Sequence, residues 1–135
     1  MQISIKSCYG LQAMVYLAKT KRICSAREIS QKEKIPFDFL EKIISNLKNK
    51  GLVKAQRGAN GGYFLVLRPD EISLGKILKV LEAPILTVSC QRKTKGYLQS
   101  RKKKCVLKDV WIKTEKILNA TLDSITLADL INKKI

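Results

Sequence analysis

The apolar residues change their spacing abruptly at Gly51, and that change limits the fold more than any other feature of the chain. Before it, Leu40, Ile43, Ile44 and Leu47 recur on one face of a helix. After it come two short runs of β-formers, roughly Leu52–Gln56 and Tyr63–Leu67, with RGANGG between them. Asn60-Gly61 is a two-residue turn signal, because both residues tolerate positive φ, so the two runs are expected to fold back as a hairpin. Gly51 supplies the stop between helix and first strand. An arginine and three glycines at a hairpin tip suit a tight turn, or a finger whose backbone comes close to another molecule.

The flanking segments read as helices. Residues 7–20 place Leu11, Met14, Val15 and Ala18 at helical spacing. SARE, Ser25 to Glu28, is a capping box that starts a short second helix running to about Lys34. Pro36 sits at the first turn of the third helix, where its missing N–H costs nothing. Pro69 and Asp70 end the hairpin. A fourth helix is expected from Ser73 to Glu82, with Leu74, Ile77, Leu78 and Leu81 inward and Pro84 as its stop. Residues 85–104 read as a loop, followed by a longer helix from Val106 to Leu122 and a short one at 126–132. Helix, helix, helix, two-stranded hairpin is the order of a winged helix-turn-helix, so the chain is expected to be mainly α with a small β-hairpin. The expected division is 1–83 for the winged domain, 84–105 for a cysteine-containing loop and 106–135 for the long and the final short helix.

Charge indicates the partner. Lys and Arg number 27 against 11 acids, a formal charge of +16, which favours nucleic acid first and an anionic membrane second. The alternative is a merely solubilising surface. There is no histidine, which removes the commonest general base and the commonest metal ligand, so the chain is not expected to be an enzyme. No phosphate-cradling motif and no aromatic platform for stacked bases is present, against an enzyme or a single-stranded RNA module. MQISIKSCYG lacks a signal-peptide core, and AMVYLA is too short to span a bilayer. The expectation is therefore a cytoplasmic chain with no membrane partner. Its thiols Cys8, Cys24, Cys90 and Cys105 then serve as buried residues, ligands or sensors rather than as structural disulfides.

In a helix-turn-helix the N-terminal part of the recognition helix meets base edges in the major groove. Here that part holds Pro36, Phe37, Asp38, Phe39, Glu41 and Lys42, and Asp38, Glu41, Lys42 and Ser45 share the outward side. A carboxylate accepts from the N4 amine of cytosine, and Lys42 donates to guanine or phosphate; the alternative is a solvated face. On the wing, Arg57 suits the concentrated negative potential of a narrow minor groove. Gly58, Gly61 and Gly62, with Asn60 between them, let backbone N–H groups approach phosphate. Lys48, Lys50 and Lys54 flank the same surface.

YGLQAMVYLA, IPFDFLEKIISNLKNKGLVKAQRGANGGYFL, PDEISLGKILKVLEAPI and the closing ITLADL resemble the Rrf-type family of bacterial winged-helix regulators, over nearly the whole chain. That family includes iron–sulfur-cluster biogenesis regulators, nitric-oxide-sensing repressors and cysteine-metabolism repressors. The resemblance implies a homodimer joined through the long C-terminal helix, bound to a partly palindromic double-stranded DNA operator and acting as a repressor. It puts Glu41, Lys42 and Arg57 on positions that contact bases in relatives.

Many members hold an iron–sulfur cluster on three closely spaced cysteines before the dimerisation helix. Cys90 and Cys105 fit the first and last of these, but QRKTKGYLQSRKKK between them has no cysteine. Cys8 falls where some relatives supply a carboxylate ligand to the other subunit's cluster. Cys8 of the partner with Cys90 and Cys105 makes three thiolates, with Gln12, water or a small thiol as a fourth donor, and the thiolate count favours 2Fe–2S over 4Fe–4S. The alternative is a cluster-free regulator, gated by cysteine oxidation or by a protein partner. The seven Lys or Arg between Cys90 and Cys105 lower the cost of a thiolate. Cys24, just before a helix cap, is expected to be a small buried residue.

Overall fold

The computed structural model describes residues 2–82 and 106–135. Helices α1 (Ile5–Thr20), α2 (Ala26–Glu33) and α3 (Phe37–Asn49) precede strands β1 (Val53–Gln56) and β2 (Gly62–Leu65). A single 3₁₀ turn at Pro69–Glu71 leads to α4 (Leu74–Leu81), and α5 (Lys108–Ser124) and α6 (Leu127–Asn132) close the chain. This is the expected winged helix-turn-helix with an added long helix. Cys90, Cys105, Pro84 and the loop expected at 85–104 lie outside the described residues.

Helix starts follow their local caps. Ser25 Oγ accepts from the Glu28 N–H at 3.1 Å, and Ser73 Oγ from the Lys76 N–H at 3.2 Å. The SARE box is only half made: the Glu28 carboxylate turns away and accepts from the Tyr16 hydroxyl at 2.8 Å and from Arg22. Pro36 is the cap of α3 rather than a member of its first turn; its carbonyl accepts from the Leu40 N–H at 3.0 Å. On α1 the enclosed stripe is Gly10, Ala13, Met14, Leu17 and Ala18, while Leu11 and Val15 are only partly buried. The stripe is rotated because α4 crosses at Gly10, where a Cβ would lie 2.2 Å from Leu81 Cδ1. Leu40, Ile43, Ile44 and Leu47 of α3 and Ile77 of α4 fill the core beneath, each at most 1 % exposed.

The hairpin pairs Val53 with Leu65 and Gln56 with Gly62 in antiparallel register. Its loop, Arg57–Gly61, is longer than a two-residue turn and differs from the expectation for Asn60-Gly61. Positive φ in this loop falls on Gly58 alone, at 117°. Gly61 is required for another reason: a Cβ there would stand 2.2 Å from the Gln56 carbonyl oxygen, and its N–H closes a turn on the Gly58 carbonyl at 3.0 Å. Cys24 adds a one-residue third strand, its N–H donating to Tyr63 at 3.0 Å and its carbonyl accepting at 2.8 Å. A Cβ on Gly62 would collide with that carbonyl at 2.4 Å.

The C-terminal part is sewn back onto the same core. Leu74 N–H donates to the Ile125 carbonyl at 2.7 Å, and Leu127 N–H to the Ile72 carbonyl at 2.9 Å. α6 starts at a complete capping box between Thr126 and Asp129, packs on α1, and buries Leu127 fully. Thr126, by its N–H first and its hydroxyl second, holds the Asp129 carboxyl below its ordinary value.

Candidate nucleic-acid interface

The turn into α3 aims its face outward. Lys34 adopts left-handed φ (54°), Ser30 Oγ donates to the Ile35 carbonyl at 2.6 Å, and Ile35 is buried. The Arg27 guanidinium lies 5.4 Å from the centre of the Phe37 ring, joining the first turns of α2 and α3 by a cation–π contact. With the apolar stripe of α3 committed to the core, Asp38, Phe39, Glu41, Lys42 and Ser45 are all solvent-facing.

The wing is joined to the end of that helix by a hydrogen-bonded turn. Gly51 takes φ 75°, its N–H donates to the Lys48 carbonyl at 3.0 Å, and Leu52 N–H donates to the Leu47 carbonyl at 3.0 Å. Leu52 and Val53 are buried, so the start of β1 belongs to the core. From there Lys54 and Gln56, then Arg57, Gly58 and Asn60, are exposed, and Gly61 is half-buried. α3 and the hairpin are thus joined through a hydrogen-bonded turn and a buried start of β1, with the hairpin tip in solvent.

Charge on this face is not neutralised internally. Among the described residues the ion pairs are Arg22–Glu28, Arg68 with Asp70 and Glu71, and Lys79–Asp123. Lys42, Lys48, Lys50, Lys54 and Arg57 take part in none of them. Residues 83–105 contain no acid to add one. Behind the face, Arg22 first and Tyr16 second hold the Glu28 carboxyl below its ordinary value, fixing the loop between α1 and α2.

Two residues without a signal in the sequence pattern stand beside α3. Tyr9 of α1 meets Phe39 edge-on, ring centres 6.2 Å apart and planes at 77°. Lys6 shares a shallow groove of about 600 Å³ with Phe39, Glu41, Lys42, Ile43, Ser45 and Asn46. Spacing along α1 marks neither of them, because the contact is between helices.

The thiols divide. Cys24 is fully buried, as expected, with its sulfur 3.2 Å from Thr20 Oγ1. Cys8 is exposed near the start of α1, and Gln12 is exposed one turn later. Among the described residues no group of three His, Cys, Asp or Glu is placed to hold a metal ion. Nor is any helix among them long and apolar enough to cross a membrane.

Known proteins share this fold. The Rrf2 family model, described as an iron-dependent transcriptional regulator, matches residues 3–133. The HTH-type transcriptional regulator CymR of Bacillus subtilis (strain 168) is 38 % identical over 132 residues, covering 96 % of this chain and 89 % of that protein. IscR of Aliivibrio salmonicida is 29 % identical over 133 residues, 97 % of this chain and 77 % of that one. The solved structure of CymR, described as the global cysteine regulator of B. subtilis, superposes with TM-score 0.81 at 36 % identity over 98 % of both chains. That of T. potens IscR does so with TM-score 0.79 at 34 % identity, over 100 % of this chain and 89 % of the other. With the family model spanning almost the whole chain and its relatives named as regulators, this chain belongs to the Rrf2 family of transcriptional regulators.

Proposed function

We propose that two copies of this chain, joined along α5, bind a partly palindromic DNA operator and repress transcription from it. In each copy α3 enters the major groove with Asp38, Glu41, Lys42 and Ser45 toward base edges, and the wing carries Arg57 into the neighbouring minor groove. Gly58, Asn60 and Gly61 bring the wing backbone to phosphate. The observation that carries this is the face shared by α3 and the wing, whose exposed cations have no acidic partner among the described residues.

The signal enters through thiols. The cysteines offer three donors, Cys8, Cys90 and Cys105, with no histidine in the chain and Cys24 fully buried, so a cluster would need its fourth donor from Gln12, water or a small thiol. The reading better supported is therefore a cluster-free switch, in which two thiols give up two electrons and two protons to a peroxide, forming a disulfide and two waters. Exposure of Cys8 supplies one accessible thiol for that chemistry. The related CymR of Staphylococcus aureus has been solved in an oxidised form, which concerns oxidation of that protein and is consistent with this choice. The iron reading keeps one support, the description of the family as iron-dependent.

Operator binding of Arg57→Ala, measured across a salt series, tests the first part. The expected loss is about 10- to 100-fold with the dimer intact, and an unchanged affinity sinks it. Anaerobic iron–sulfide reconstitution of wild type and Cys8→Ala tests the second. A colourless, iron-free product whose operator binding responds to peroxide supports the thiol switch; a coloured product with stoichiometric iron and sulfide replaces it with the cluster.

A further inference from the structure

On the side of α3 that faces α1, a large aromatic ring is left half in solvent at the edge of an otherwise polar reading face. Phe39 is 49 % exposed, although it lies one residue from fully buried Leu40. Its ring is not loose: Tyr9 meets it edge-to-face at 6.2 Å from the neighbouring helix. The groove it borders also holds Lys6, Lys42, Ser45 and Asn46, suited to phosphate and base edges, together with the Glu41 carboxylate, an acceptor for a base amine, and Ile43. An apolar ring fixed at the N-terminal end of a recognition helix, ringed by such groups, has one apolar counterpart in the major groove, the C5-methyl group of thymine.

We infer that Phe39, oriented by Tyr9, reads a thymine methyl group in each operator half-site, while Lys6 holds the adjacent phosphate. This rests on the DNA-binding reading and adds the base it distinguishes. Glu41 and Lys42 address hydrogen-bonding groups; Phe39 addresses the one feature by which thymine differs from uracil. Burying one methyl against the ring is worth about a four-fold gain per half-site, and about fifteen-fold for two half-sites bound together.

The test uses duplex DNA in which thymines are replaced one position at a time by deoxyuridine, which keeps every hydrogen-bonding group and removes only the methyl. A preferred site is first selected by the full-length wild-type protein from random duplexes. Wild type is expected to lose about fifteen-fold on symmetric replacement at one position in each half-site and to be indifferent elsewhere. Phe39→Ala is expected to bind thymine and deoxyuridine sites equally, with an unchanged salt slope and dimer, and Tyr9→Ala to retain only part of the discrimination. Lys6→Ala is expected to weaken all sequences alike and reduce the salt slope by about one per half-site.

Wild type indifferent to every replacement, or Phe39→Ala as discriminating as wild type, overturns the inference, and the first result needs no variant to fold. Loss of the dimer in Phe39→Ala with discrimination retained also overturns it, assigning the ring to a subunit contact. Failure to select any duplex sequence removes the DNA-binding reading itself and this inference with it.

Discussion

α4 and α5 both carry apolar residues at helical spacing but differ in placement. α4 buries four of its eight residues, Gly75, Ile77, Leu78 and Leu81, in packing against α1, α3 and the end of α5. α5 is 17 residues long and buries none, leaving Val110 at 52 % and Ile117 at 59 % exposure. Yet α5 is not adrift. Its C-terminal end is pinned to α4 by Lys79 donating to both Asp123 carboxylate oxygens at 2.9 and 3.1 Å. Asp123 also sits so close over Gly75 that a Cβ there would be 2.0 Å from its oxygen. A helix fixed at one end, with Val110 and Ile117 in solvent and Trp111, Ile112, Leu118 and Leu122 only partly buried, is stabilised by its own chain only in part. The difference teaches that an amphipathic stripe says a helix will be covered, but not by which chain.

If a second copy covers α5, a charge placed there should matter more to DNA binding than to folding. Ile117→Glu is expected to convert dimer to monomer in sedimentation and to weaken operator binding about 100- to 10,000-fold, since two half-sites are then bound independently. Circular dichroism of the monomer should keep the helical signature of the wild-type fold. A variant that stays dimeric with full affinity breaks the comparison.

A pair of alanine substitutions sharpens it. Ile77 is fully buried within the chain, so Ile77→Ala is expected to cost about 2–5 kcal/mol in urea unfolding. Ile117→Ala should cost less, and its cost should fall as the protein is diluted below the dimer dissociation constant, because burial by a partner is lost by mass action. Equal costs at all concentrations for both would show that α5 folds against its own chain.

The same contrast marks how far the sequence could be read. α3, the wing and their order were legible because each signal is local: a four-residue apolar stripe, Gly51 as a stop, and Ser25 as the cap of the helix before. Helix ends moved by one or two residues, as with Pro36, where a cap and a first turn carry nearly the same signal. The Asn60-Gly61 reading failed because loop length, not the dipeptide, decides where positive φ falls, and a five-residue loop put it on Gly58. What stayed invisible is non-local. Nothing near Cys24 says that it pairs with Tyr63, and nothing near Gly10, Gly62 or Gly75 says which neighbour forbids a Cβ. Tyr9 and Lys6 entered the candidate interface for the same reason, through a helix contact that no spacing along α1 encodes.

The end of α4 offers a smaller test of what ties the chain together just before residue 83. Glu82 accepts from the Ser4 N–H at 2.7 Å, and the Ser4 hydroxyl first and this N–H second hold its carboxyl below the ordinary value. The bond anchors the start of α1, the helix that carries both Cys8 and Phe39's partner Tyr9. Because the folded state lowers this pKa, the contribution is fully present above the unfolded value, about 4.3, and is lost as pH falls through the lower folded one. Glu82→Gln is therefore expected to cost about 1 kcal/mol at pH 7, a charge-assisted bond discounted for partial exposure. The gap between variant and wild type in thermal melts should hold from pH 7 to about pH 5 and narrow as pH falls below the unfolded value toward the lower folded one. A gap that is constant with pH would mean that the bond is made equally well by the neutral acid, and that α1 is held at its start by Ser4 capping alone.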